Sequence, residues 1–136
     1  MTCTSTTPVI AIHGGAGTLS RSHISPEQEA NYHSALGTIL RAAQQLLANG
    51  GSALDAVSLA VEMLEDCPLF NAGLGAVFTR DATHELDAAV MNGADLRAGA
   101  VAGVSHIRCP VRAARAVMEH SEHVLLIGAG AEQFAQ

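Results

Sequence analysis

The sequence predicts an α+β protein. Two helical stretches stand side by side at 26–48 and from Ser52 to about Cys67, and three strand candidates follow at 75–80, 85–91 and 97–107. Short apolar runs at 8–13 and 124–129 have the continuous character of strands buried on both faces. The resulting order, β-α-α-β-β-β-α-β-α, groups helices with helices and strands with strands, unlike a plain alternating β-α chain.

Each element has a local cause. PVIAIH at 8–13 is followed at once by HGGAG, so a buried strand leads into a glycine turn. Ser25 suits an N-cap, Pro26 the first helical position and Gln28 the third residue of a capping box. Tyr32, Leu36, Ile39, Leu40, Ala43, Leu46 and Leu47 make one apolar face, and Gly50–Gly51 ends the helix. Ser52 caps the next helix, whose stripe is Leu54, Val57, Val61 and Leu64; Pro68 disfavours helical geometry at Cys67. The short connection predicts a helical hairpin.

Asn92–Gly93 marks a turn between the second and third strand candidates. Alternating alanine and glycine in RAGAVAGVSHI predicts a neighbouring layer lying very close. Pro110 opens a helix to about His120, VLLIGA at 124–129 reads as a strand, and GAEQFAQ begins another helix inside which the sequence stops.

Composition excludes several roles. The chain has 136 residues, 49% of them hydrophobic, enough for one domain with a sizeable core, and neither repeats nor linkers divide it. Its net charge of −6 comes from 13 acids against seven arginines and no lysine, with no basic stripe for nucleic acid or an anionic membrane. No run approaches the roughly 20 apolar residues of a membrane span. The opening MTCTSTTPVIAIHGG lacks a basic segment before its apolar run, so a cytoplasmic location is the expectation. Cys3, Cys67 and Cys109 are odd in number and form no CxxC pair, which favours reduced thiols.

Several motifs admit chemistry. Glycines in HGGAG let backbone N–H groups face an anion, although a tight turn explains the pattern too. No GxSxG elbow accompanies them, and GAGAEQ puts Gln133 where a dinucleotide fingerprint needs glycine. His84 points away from Glu85 and Asp87 on a strand, so ion pairing of those acids with arginine is the better reading than a metal. The stretch EDCPLFNAGLGAVF, 65–78, ends a helix with an asparagine and surplus glycines. A loop that curls back there could gather the last helix carbonyls around a hard cation and hold Asn71 at its rim; a simple helix end and crossover is the alternative.

Taken together, VIAIHGGAG, SALDAV, EDCPLFNAGLGAVFTRDATHELDAAVMNG and AGAVAGVSHIRCPV resemble the plant-type L-asparaginases, or isoaspartyl aminopeptidases, over residues 8–136. The resemblance implies the α-subunit part of an αββα N-terminal-nucleophile hydrolase sandwich, completed by a β subunit cut from the same precursor. It implies a threonine nucleophile at the start of that β subunit, hydrolysis of isoaspartyl (β-aspartyl) peptides and L-asparagine, and an (αβ)2 heterotetramer. The chain would be a single domain, an α subunit incomplete at its C-terminus and inactive without its β subunit.

By the same resemblance, His13, Gly14 and Gly15 lie near the nucleophile and Asn71 stands beside it. The backbone carbonyls of Leu64, Glu65, Cys67, Phe70, Ala72 and Leu74 would bind a structural sodium ion, and no organic cofactor is implied. A glycosylasparaginase-like amidase of the same superfamily and a non-catalytic binding domain are the rival readings.

Overall fold

The computed structural model describes residues 7–15 and 24–136. Cys3 and the end of the HGGAG motif lie outside them. Helix α1 runs Pro26–Ala48 and α2 Ala53–Glu65. A 3-10 turn, Gly73–Gly75, follows, then β1 (Leu86–Met91), β2 (Ala98–Val104), α3 (Pro110–His120), β3 (Leu125–Ile127) and α4 (Gly128–Phe134).

Local chemistry fixes the helix starts. The Ser25 Oγ accepts the Gln28 N–H at 3.1 Å, while the Gln28 Oε1 accepts the Ser25 N–H at 2.8 Å. The Ser52 Oγ accepts the Asp55 N–H at 3.0 Å. Helices α1 and α2 enclose one core cluster of Ile39, Ala43, Ala56, Ala60 and Phe70. In α3, Ala113, Ala114, Val117 and Met118 pack on the sheet with Val90, Val101 and Val104, and Val111 at the start of the helix is buried as well. Burying each of the larger side chains contributes roughly 1.5–3 kcal/mol.

The sheet has the order β1-β2-β3, with β1 antiparallel and β3 parallel to β2. Val90 pairs with Gly99 and Ala88 with Val101 on the side that faces α3. A β-carbon at Gly99 would meet the Ala114 carbonyl and the Met118 amide, so the close layer expected from the Ala/Gly alternation is helix α3. Between Leu86 and Ala88 the register shifts, and Asp87 Oδ1 accepts the Gly103 N–H freed by that irregularity, at 2.8 Å.

The opposite side of the sheet is uncovered among the described residues. Met91, Leu125 and Ile127 point there with 55%, 53% and 66% of their surface exposed, flanking the alternate alanines Ala98, Ala100 and Ala102. The chain is thus mixed α/β, with its sheet packed on one side against helices among the described residues.

Three strand expectations need correction. Residues 8–13 form no strand: Ile10 and Ile12 pack against the α1/α2 cluster, but Val9 is 91% exposed and no ladder neighbour exists among the described residues. Residues 75–80 also stay out of the sheet, with Val77 and Phe78 exposed by 64% and 68%. The strand expected at 124–129 shortens to Leu125–Ile127 because Gly128 takes a φ of +51° and starts α4. Among the described residues no helix is long and apolar enough to cross a membrane.

Candidate active site

The loop after α2 folds back on the helix that precedes it. Gly73 has a φ of +49°, and a β-carbon on it would run into the Glu65 carbonyl; one on Gly75 would run into the Phe70 carbonyl. Only glycine allows this double return, since left-handed backbone and backbone-to-backbone contact both penalise a side chain. Within the loop, Leu64, Cys67, Phe70 and Ala72 carbonyls accept the N–H groups of Cys67, Phe70, Ala72 and Gly75 at 3.2, 3.4, 2.8 and 3.0 Å. Each such oxygen keeps a second lone pair. Leu74 is 67% exposed at the loop's outer edge.

Phe70 anchors the loop. It is buried, and its ring meets Tyr32 of α1 edge to face at 5.7 Å between centroids. Gly14 lies against the same ring: a β-carbon there would stand 2.8 Å from Phe70 Cε1. The HGG segment and the Asn71 loop therefore share one contact, made by the residue just before Asn71. Gly15 turns with a φ of +99°, and His13 is exposed.

Asn71 is exposed but oriented. Its Oδ1 accepts the Val77 N–H at 3.0 Å, and among the described residues its Nδ2 donates to nothing. It borders a cavity of about 350 Å³ whose wall includes Glu65, Gly73, Val77, Glu85 and Asp87.

The Glu65 side chain is a feature that sequence reasoning missed, because only the backbone of this residue was singled out there. It is 3% exposed, and its Oε1 accepts the Val111 N–H at the start of α3 at 3.0 Å. Cys109 gives that helix no side-chain cap, so Glu65 supplies one from α2. Oε2 has no hydrogen-bond partner among the described residues. Burial is the main cause that pushes the carboxyl up to about 7; Glu62 and Asp66 add to it and the Val111 N–H opposes it. The available signal was an acid on the buried side of a helix facing a proline-started helix.

Several other acids are paired with arginine. The expected pairing of Glu85 and Asp87 with arginine does not form among the described residues; Arg97 pairs with Asp95, Arg108 with Asp66, Arg112 with Glu62 and Arg115 with Asp55. No cluster of three or more His, Cys, Asp or Glu side chains among the described residues could hold a metal ion. Cys67 and Cys109 are free thiols, and burial is the first cause raising that of Cys109.

A sequence profile described as asparaginase matches residues 6–136. The chain belongs to the asparaginase family. This asparaginase-family chain is 65% identical over 127 residues to an isoaspartyl peptidase of Escherichia coli, 49% to a plant-type L-asparaginase of Pyrococcus furiosus and 45% to an isoaspartyl peptidase/L-asparaginase of Rattus norvegicus. Each alignment covers 93% of the chain but only 40%, 40% and 37% of the relative. The asparaginase-family chain thus spans about two fifths of the length of the curated relatives it matches.

Proposed function

We propose that this chain is the α subunit of a self-processing threonine amidohydrolase that cleaves isoaspartyl peptides and L-asparagine. The observation that carries the reading is Asn71, fixed through its oxygen with an amide N–H2 that donates to nothing among the described residues and borders a cavity, in a chain that matches isoaspartyl peptidases. In this reading a threonine at the N-terminus of the complementary β chain attacks the side-chain carbonyl of the substrate. Its own amine takes the hydroxyl proton and passes it to the leaving amine; water then releases L-aspartate. Asn71 acts as a donor that positions the threonine segment, and the HGG turn supports it through Phe70.

The uncovered apolar side of the sheet is consistent with a second sheet supplied by the β chain, which would complete an αββα sandwich. Two such pairs would form the (αβ)2 assembly. Neutral carbonyl oxygens of Leu64, Glu65, Cys67, Phe70, Ala72 and Leu74 on a returning loop suit a sodium ion, whose role would be to stiffen the loop. Replacing sodium by choline should then lower the melting temperature, by an amount set by how far sodium exceeds its Kd.

The test expresses the full-length precursor. Mass analysis and N-terminal sequencing should find this chain beside a second one beginning with threonine, and the pair should release aspartate from isoaspartyl dipeptides. An unprocessed precursor, or a processed one without that activity, would overturn the reading.

A further inference from the structure

We propose that His84 is the positioning residue for Asn71, acting through the backbone of Val77. This rests on the reading of Asn71 as a donor beside the nucleophile. The Val77 N–H donates to Asn71 Oδ1 at 3.0 Å, and His84 Nδ1 stands 3.3 Å from the Val77 carbonyl oxygen. A carbonyl has no proton to give, so the ring nitrogen must be the donor, which puts a proton on Nδ1. One peptide segment thereby links the histidine ring to the asparagine amide.

Among the described residues, the Val77 backbone makes no other hydrogen bond. It lies outside every helix and strand, and its side chain is 64% exposed, so neither a ladder nor core packing sets its orientation. The histidine is held in turn. Its ring lies tilted by 31° on Phe78 at 4.5 Å between centroids. A turn closes the stretch between them: the Thr79 N–H donates to the Thr83 carbonyl at 2.8 Å, and the two threonine hydroxyls share a 2.8 Å hydrogen bond. Phe78 is 68% exposed, so this aromatic contact does not serve the core of the chain. Its consequence is to place the Nδ1–H opposite Val77.

The test uses the processed full-length protein with an isoaspartyl dipeptide. His84→Phe keeps the contact with Phe78 and removes the N–H, while His84→Asn restores a donor near the Nδ1 position. Loss of one hydrogen bond that orients the donor should lower kcat about tenfold in H84F, with KM within about twofold. H84N should recover most of that loss, although H84F melts no earlier than H84N. Amide exchange at Val77 should speed up in H84F and return toward the native rate in H84N.

Native kcat in H84F, or equal losses in H84F and H84N, would overturn the proposal. Should H84F not fold, His84→Gln, whose amide sits one bond too far out, takes its place with the same expected deficit relative to H84N. Asn71→Ala separates the two levels. An inactive N71A beside a fully active H84F sinks the role of His84 alone, whereas an active N71A sinks the reading of Asn71 and this proposal with it.

Discussion

Gly73 lies against the backbone carbonyl of Glu65, eight residues earlier, in a left-handed conformation with a φ of +49°. The contact seals the loop against the end of α2 and sets where Asn71 emerges. Gly73→Val meets two obstacles together, a left-handed backbone that disfavours β-branched residues by roughly 1–3 kcal/mol and a side chain driven into a carbonyl. Urea unfolding should show a loss of at least that size, and self-cleavage of the precursor should slow. A variant with native stability and native processing would make the loop a mere connector.

The Gly14 contact with Phe70 gives a second test. A methyl at Gly14 would lie 2.8 Å from Phe70 Cε1 and 3.1 Å from Leu36 Cδ2, in a cluster already closed by Tyr32. Over-packing of this kind destabilises by roughly 1–3 kcal/mol. Gly14→Ala should therefore lower the melting temperature, and Phe70→Leu in the same molecule should return part of the loss. Strict additivity of the two changes would show that these residues do not couple.

Glu65 predicts how stability follows pH. Its carboxyl titrates near 7 in the folded chain and at 4.5 without the fold, chiefly because burial disfavours the charge. Between those values the folded state keeps a proton that the unfolded state has lost. The stabilisation linked to that proton is fully present below pH 4.5 and disappears as pH rises through about 7. At about 1.4 kcal/mol per pH unit, the difference in stability between the native chain and Glu65→Gln should move by up to about 3 kcal/mol from pH 4 to pH 8, in favour of the variant at high pH. Denaturant titrations at fixed sodium concentration check it, and parallel curves would place the carboxylate in contact with water.

How much of the fold and site is legible in the sequence depends on how far each cause reaches along the chain. The capping box of Ser25 and Gln28, the Ser52 cap and the Pro110 start act within a few residues, and all three helices begin where those signals stand. The strands expected at 8–13 and 75–80 do not form because an apolar β-prone run needs a ladder partner, and Val9, Val77 and Phe78 have no strand beside them among the described residues. The role of Glu65 is only half legible for a similar reason: its acid on a buried helix side can be read from sequence, but its partner, Val111, is 46 residues away. The Asn71 loop was easier, since glycines at 73 and 75 announce close backbone contact, although which carbonyls they meet is a matter of tertiary geometry.

Ile127 and Met91 lie on the uncovered side of the sheet, and their exposure of 66% and 55% predicts how the chain behaves alone. An apolar surface spread over three strands favours association with another apolar surface, so the isolated chain should self-associate as concentration rises. Ile127→Glu and Met91→Lys put charges on that side without touching the α3 core, because the core-facing members of these strands are Val90, Val101 and Leu126. Sedimentation should therefore find the double variant less associated than the native chain, with far-UV circular dichroism unchanged. In the full-length precursor the same pair should block assembly and processing if a second sheet covers this surface. Normal processing in that variant would mean that the complementary half docks elsewhere on the chain.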